Sequence, residues 1–180
     1  MIVVVADFRR RARELAPKVR AMKLRRVAYH EAAHAIVAAH LGLVVEQVGV
    51  DVSARLEAGV VVAVRGRPHL RATVLAAGGE AERRITGQEP RGTEADEAEL
   101  GRMNPRTAAR GRADAGRLVA ALWPYIEALA GVIVEYNHLA GPTAIFMALL
   151  AIHGDDEARR REAVLRDGRA FDLYPVHGSG

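Results

Sequence analysis

Residues 27–42, VAYHEAAHAIVAAHLG, constrain this chain more than any other stretch. Alanine is the strongest helix former, and Ala28, Ala32, Ala33, Ala35, Ala38 and Ala39 all fall here, with Gly42 as the stop. The expectation is a helix over Val27–Leu41. Within it, His30-Glu31-Ala32-Ala33-His34 forms the pattern HExxH. At about 100° per residue, positions four apart lie about 40° apart and one turn along. Both imidazoles therefore project from one face and can hold one ion. The flank of Val27, Ile36, Val37 and Leu41 is apolar, as a buried metal-site helix requires, and the alanines let other elements pack close. The competing reading is a pair of packed, hydrogen-bonded structural histidines.

Glu31 lies beside His30 on the flank of that face. There it can take a proton from a zinc-activated water and hand it to a leaving amine. A catalytic zinc needs a third protein ligand. His40 is not read as that ligand, because Val37 stands where a glycine would let the chain leave the helix. His40 then lies about 240° around from His34. Two acidic clusters remain open: Glu80 with Glu82, and Glu94, Asp96, Glu97 and Glu99.

Composition narrows the alternatives. The 180 residues include no cysteine, which excludes disulfides, thiolate zinc sites, iron–sulfur clusters and cysteine nucleophiles. Lys18 and Lys23 are the only lysines, and neither follows a glycine, so no Walker-type phosphate loop can be written. Residues 1–26 hold nine basic and two acidic side chains, a balance of 9 − 2 = +7, against a formal +4 for the whole chain. This basic arm is read as a solvated amphipathic helix, with Leu15, Val19 and Met22 packing at helical spacing, in preference to a nucleic-acid contact. Met1–Ala6 is apolar but short, and its arginines follow it, the reverse of a signal peptide. The apolar stretch Leu118–Ile152 is interrupted by Pro124, Glu127, Glu135, His138 and Pro142. No membrane span is expected, and the expectation is a soluble, cytoplasmic chain.

Along the chain, Arg10–Arg26 reads as a basic helix with a break near Pro17. Val44–Val52 and Gly59–Val64 read as paired strands. In the first, Val44, Glu46, Val48 and Val50 point one way and Val45, Gln47, Gly49 and Asp51 the other. A helix over His69–Ile85 should end at Gly87, and Gln88–Gly92 is a loop. Thr93 is the expected N-cap of a helix opening Glu94-Ala95-Asp96-Glu97, closed by Pro105. Arg112–Tyr136 and Pro142–Ile152 read as helices around a turn near Leu139–Pro142. The fold class expected is mostly helical α+β with a small strand group. The parts are a basic arm over 1–26, the main domain over 27–153 and a charged, mobile tail over 154–180.

Residues 27–37, VAYHEAAHAIV, resemble the zinc helix of the FtsH-type ATP-dependent metalloproteases, usually VAYHEAGHALV. Residues 76–87, AAGGEAERRITG, resemble that family's LAGRAAEELVFG helix. Residues 92–96, GTEAD, are similar to its GASND segment, and Trp123–Gly141 to its last helical hairpin. The resemblance covers about residues 25–150. It implies His30, His34 and Asp96 as ligands of one zinc per chain and Glu31 as general base. Glu82, in the place of the first Glu of AEE, is implied as a carboxylate that orients a ligand histidine. The chain departs from the family at Ala33, Gly79, Arg83 and Ala95, and the family's membrane anchor and ATPase module have no counterpart in these residues.

The function this implies is a zinc metalloendopeptidase acting on unfolded or flexible protein segments. A separate AAA ATPase and a second copy of the chain are candidate partners. The alternative is a catalytically inactive zinc-binding regulatory module that uses its basic arm for interaction.

Overall fold

The computed structural model describes residues 2–50, 58–63, 67–90, 93–154, 157 and 159, with only the backbone for 2–20, 58–63 and 138. Six helices and three strands follow in the order α1 (Ile2–His40), β1 (Val44–Val50), β2 (Ala58–Ala63), α2 (Pro68–Thr86), α3 (Glu94–Arg102), α4 (Pro105–Ala121), α5 (Trp123–Tyr136), β3 (His138–Ala140) and α6 (Gly141–His153). The described residues are mostly helical, with one antiparallel three-stranded sheet in the order β2-β1-β3. This is the α+β class expected.

The alanine-rich part of α1 is the centre of the core. Ala28, Ala32, Ala33, Ala35, Val37 and Ala38 are fully buried, and Ile36 is 1 % exposed. A helix buried on every side must present small residues wherever a neighbour's backbone comes close, and this one does. Helices α2 and α5 and strand β1 pack around it. Tyr29 stacks on Trp123 of α5 with ring centroids 5.3 Å apart, and its hydroxyl donates to Glu127 at 3.1 Å. That contact fastens α5 beside the helix that carries the histidines.

Helix α1 is longer than expected. It runs without interruption through Pro17 and across residues 26 and 27, so the expected break near Pro17 is absent. Proline removes one ladder hydrogen bond, and the helix continues on both sides of it. Met22 is 73 % exposed and does not pack as the amphipathic reading required. The side chains of Leu15 and Val19 lie outside the described residues, and so does almost all of the tail over 154–180.

Other boundaries moved for local reasons. Helix α2 opens on Pro68 and ends at Gly87, whose φ of 64° and N–H bond to the Arg83 carbonyl make a left-handed cap. Thr93 stands at the N-cap of α3, but its side chain makes no capping bond; its backbone carbonyl accepts from the Glu97 N–H at 2.8 Å. Pro105 opens α4 where it was expected only to close α3, with Asn104 accepting from the Arg106 N–H at 2.9 Å. The single helix expected over Arg112–Tyr136 is two helices bent by 81° around Leu122. Pro124 lacks the N–H that would continue the ladder and clashes with the turn before it. No single helix among the described residues is long and apolar enough to cross a membrane.

The sheet corrects two further expectations. The β1–β2 pairing slips between Val45 and Gln47, and Glu46 is the extra residue of a bulge. Simple alternation therefore fails: Val45, Val48 and Val50 are buried, while Val44 is 59 % exposed. Residues 138–140, the last two of them expected in a turn, form β3 against Gln47, Val48 and Gly49. Asn137, with φ of 62°, turns the chain from α5 into β3, and its carbonyl accepts from the Val50 N–H at 2.7 Å.

Candidate metal centre

Three helices build the site. α1 supplies His30 and His34 one turn apart, and α2 lies against them. α3 brings Asp96 in on its first turn. Short helix α3 is anchored by Leu100, 1 % exposed, which packs with Ala72 of α2 and Ala108 of α4. Ion pairs of Arg112 with Glu97 at 2.5 Å and of Arg71 with Glu99 tie it to α4 and α2. Two of the acidic candidates are thereby engaged at the periphery, and Glu80 likewise pairs with Arg83. Asp96 and Glu82 are turned inward, Asp96 toward the Nε2 atoms of both histidines and Glu82 toward Nδ1 of His30.

His30 Nε2 and His34 Nε2 are 2.9 Å apart. Asp96 Oδ2 lies 3.1 Å from the first and 3.3 Å from the second. Zinc with donors at about 2.0–2.2 Å in tetrahedral array sets neighbouring donors about 3.3 Å apart, so the three atoms already stand near the edges of such a figure. His30, His34 and Asp96 are the group among the described residues that could hold an ion. His40 lies outside it.

The outer nitrogens fix how the rings are protonated. His34 Nδ1 donates to the Val74 carbonyl at 2.7 Å, and a carbonyl can only accept. His30 Nδ1 donates to Glu82 Oε1 at 2.9 Å. Each ring therefore carries a proton on its outer nitrogen and turns Nε2 to the centre, the tautomer a metal ligand needs. Glu82, 3 % exposed, is the carboxylate on the outer side of the His30 ring.

The electrostatics of the cluster call for a cation. Burial pulls the His30 pKa down, but hydrogen bonds to Asp96 and Glu82 and the charge of Glu31 outweigh it and push it up to about 9. Burial would raise the Asp96 carboxyl, yet bonds to His30 and His34 hold it well below the usual carboxylate range. In the metal-free protein a proton on His30 supplies the positive charge between the three donors. Glu31, 6 % exposed, sits within the field of all four groups, and burial raises its pKa above the ordinary value.

No protein-family model matches the chain, and no curated protein matches it.

The structure adds residues that the sequence reading did not assign. A Cβ on Gly78 would fall 2.6 Å from His30 Nε2, His30 Cε1 and His34 Nε2 alike. Only glycine leaves room there for the two rings to converge. A signal was present: two glycines inside a helix cost about 1 kcal/mol each against alanine, so Gly78-Gly79 marks a close approach. Which neighbour approaches was not readable.

Proposed function

We propose that the protein is a zinc-dependent metalloendopeptidase with His30, His34 and Asp96 as ligands and Glu31 as general base. The observation that carries the reading is the convergence of two Nε2 atoms and one carboxylate oxygen within 2.9–3.3 Å of one another, with both outer ring nitrogens engaged. Bound zinc supplies Lewis acidity, which polarises a carbonyl and makes hydroxide available near neutral pH.

The remaining work falls to the chain's own side chains. Glu82 and the Val74 carbonyl hold the two rings in register. Glu31 accepts the proton of the attacking water on its carboxylate and passes it to the nitrogen of the departing amine. Burial strengthens it as a base relative to a free carboxylate. A three-ligand group leaves a coordination position for water and substrate, whereas structural zinc is usually closed by four protein ligands. This favours the enzyme over the inactive zinc module.

The resemblance of residues 27–37, 76–87 and 92–96 to the FtsH-type metalloproteases supports the same reading. It suggests unfolded or flexible protein segments as substrate and a separate ATPase as a partner. The test is zinc content together with cleavage of casein by wild type and Glu31→Gln. Zinc retained by both with cleavage only by wild type supports the enzyme. Wild-type protein that binds zinc but stays inert, even with an unfoldase supplied, leaves the binding-module reading.

A further inference from the structure

Arg26 and His30 stand one turn apart on α1, and both reach Glu82 on α2. Glu82 Oε1 accepts from His30 Nδ1 at 2.9 Å, while Oε2 pairs with Arg26 Nε at 3.2 Å. The Glu82 side chain is 4 % exposed and that of Arg26 is 28 % exposed. A carboxylate this deeply buried is costly without a cation, and one held through a single oxygen can pivot about its own axis. Arg26 Nε makes no hydrogen bond, so the contact is an ion pair: the cation beside Oε2 holds that oxygen on the arginine side and leaves Oε1 turned to His30.

We propose that Arg26 is a positioning residue of the metal centre, acting through Glu82 to fix the orientation of His30. The inference rests on the metal-centre reading above and extends it by one residue outward. Removing a partner of a ligating histidine typically weakens metal binding 10–100-fold. Arg26 acts one link further away, so a loss of about tenfold is expected for R26M, which keeps an unbranched apolar stem. The sign separates positioning from plain electrostatics. A cation near a metal site repels the metal, so if Arg26 acted only through its field, its removal would tighten binding.

The experiment measures zinc affinity by chelator competition for wild type, R26M, R26K, E82Q and R26M/E82Q, with helicity checked by circular dichroism. Cobalt(II) absorption reports the ligand geometry in parallel. The expected result is weaker zinc binding and an altered cobalt spectrum in R26M, with R26K close to wild type. On the E82Q background, R26M should have no further effect, because the link it acts through is already cut. Unchanged or tighter binding by R26M overturns the proposal. So does R26K as weak as R26M, or an equal loss on both backgrounds. Wild-type protein that takes up no zinc overturns the metal-centre reading itself and this inference with it, a result distinct from all the others.

Discussion

His30 Nε2 and His34 Nε2 face each other across 2.9 Å, each ring donating the proton of its outer nitrogen, to Glu82 and to the Val74 carbonyl. Two lone pairs cannot sit so close without a cation between them. The fold spends buried volume and two hydrogen bonds on holding this arrangement, and a proton or a metal ion is what makes it stable.

Metal stoichiometry tests the ligand set. Purified protein should hold about one zinc per chain, and His30→Ala or His34→Ala should abolish it. Asp96→Ala should weaken binding strongly, and His40→Ala should leave it nearly unchanged. Metal analysis after dialysis reads each outcome. Loss of zinc in the His40 variant with retention in the Asp96 variant would show the ligand set to be wrong.

The adjacent glycines of α2 should behave oppositely. Gly78→Ala places a methyl group 2.6 Å from both Nε2 atoms and should remove stoichiometric zinc. At Gly79 the nearest atom to a new Cβ is Pro90 Cγ at 3.5 Å, an ordinary contact. Gly79→Ala should keep zinc and gain up to about 1 kcal/mol from helix propensity. Titration calorimetry and thermal melts of the two variants decide it, and equal zinc affinity in both would contradict the geometry described.

Glu31→Gln preserves shape and removes the base. Cleavage of casein should fall by about 10²–10⁴-fold, with zinc content and melting temperature near those of wild type. Equal cleavage by both proteins would assign the base elsewhere.

The pH dependence follows from His30. Its pKa is raised from 6.5 to about 9 on folding, so in metal-free protein its contribution is fully present below about pH 6.5 and is lost as pH rises through about 9. Asp96, held low, is the partner in the same interaction and loses its share in strong acid instead. Chelator-treated protein should therefore melt lower at about pH 9.5 than at about pH 6. Zinc must displace the His30 proton, so the stabilisation it adds should grow over the same interval. A metal-free melting temperature that rises with pH across this range would contradict the His30 assignment.

Much of the site was legible because it is local. The four-residue spacing of His30 and His34 sets a shared helix face, alanine secures the helix, and Gly42 and Gly87 stop their helices whatever surrounds them. Strands β1 and β2 were readable from their valine runs, although the bulge at Glu46 was not, because a bulge is a property of the pairing. Strand β3 carries no signal of its own: three residues become a strand only where β1 offers free backbone groups. Pro124 was a local signal for the bend at Leu122, but the surrounding apolar run outweighed it in the reading.

The sequence by itself determined the two imidazoles, their common face and the carboxylate beside them. The tertiary structure decided the rest. Residue-level reading left Glu80, Glu82, Glu94, Asp96, Glu97 and Glu99 open, and only the resemblance singled out Asp96. Periodicity says which way a side chain leaves its own helix but not which neighbour it meets. Leu100 buried beneath α2 and α4 sets where α3 lies, and that placement carries Asp96 to the histidines while Glu97 and Glu99 reach arginines. Gly78 and Arg26 took on their parts for the same reason: the space one must leave open and the carboxylate the other holds both lie across an interface between helices.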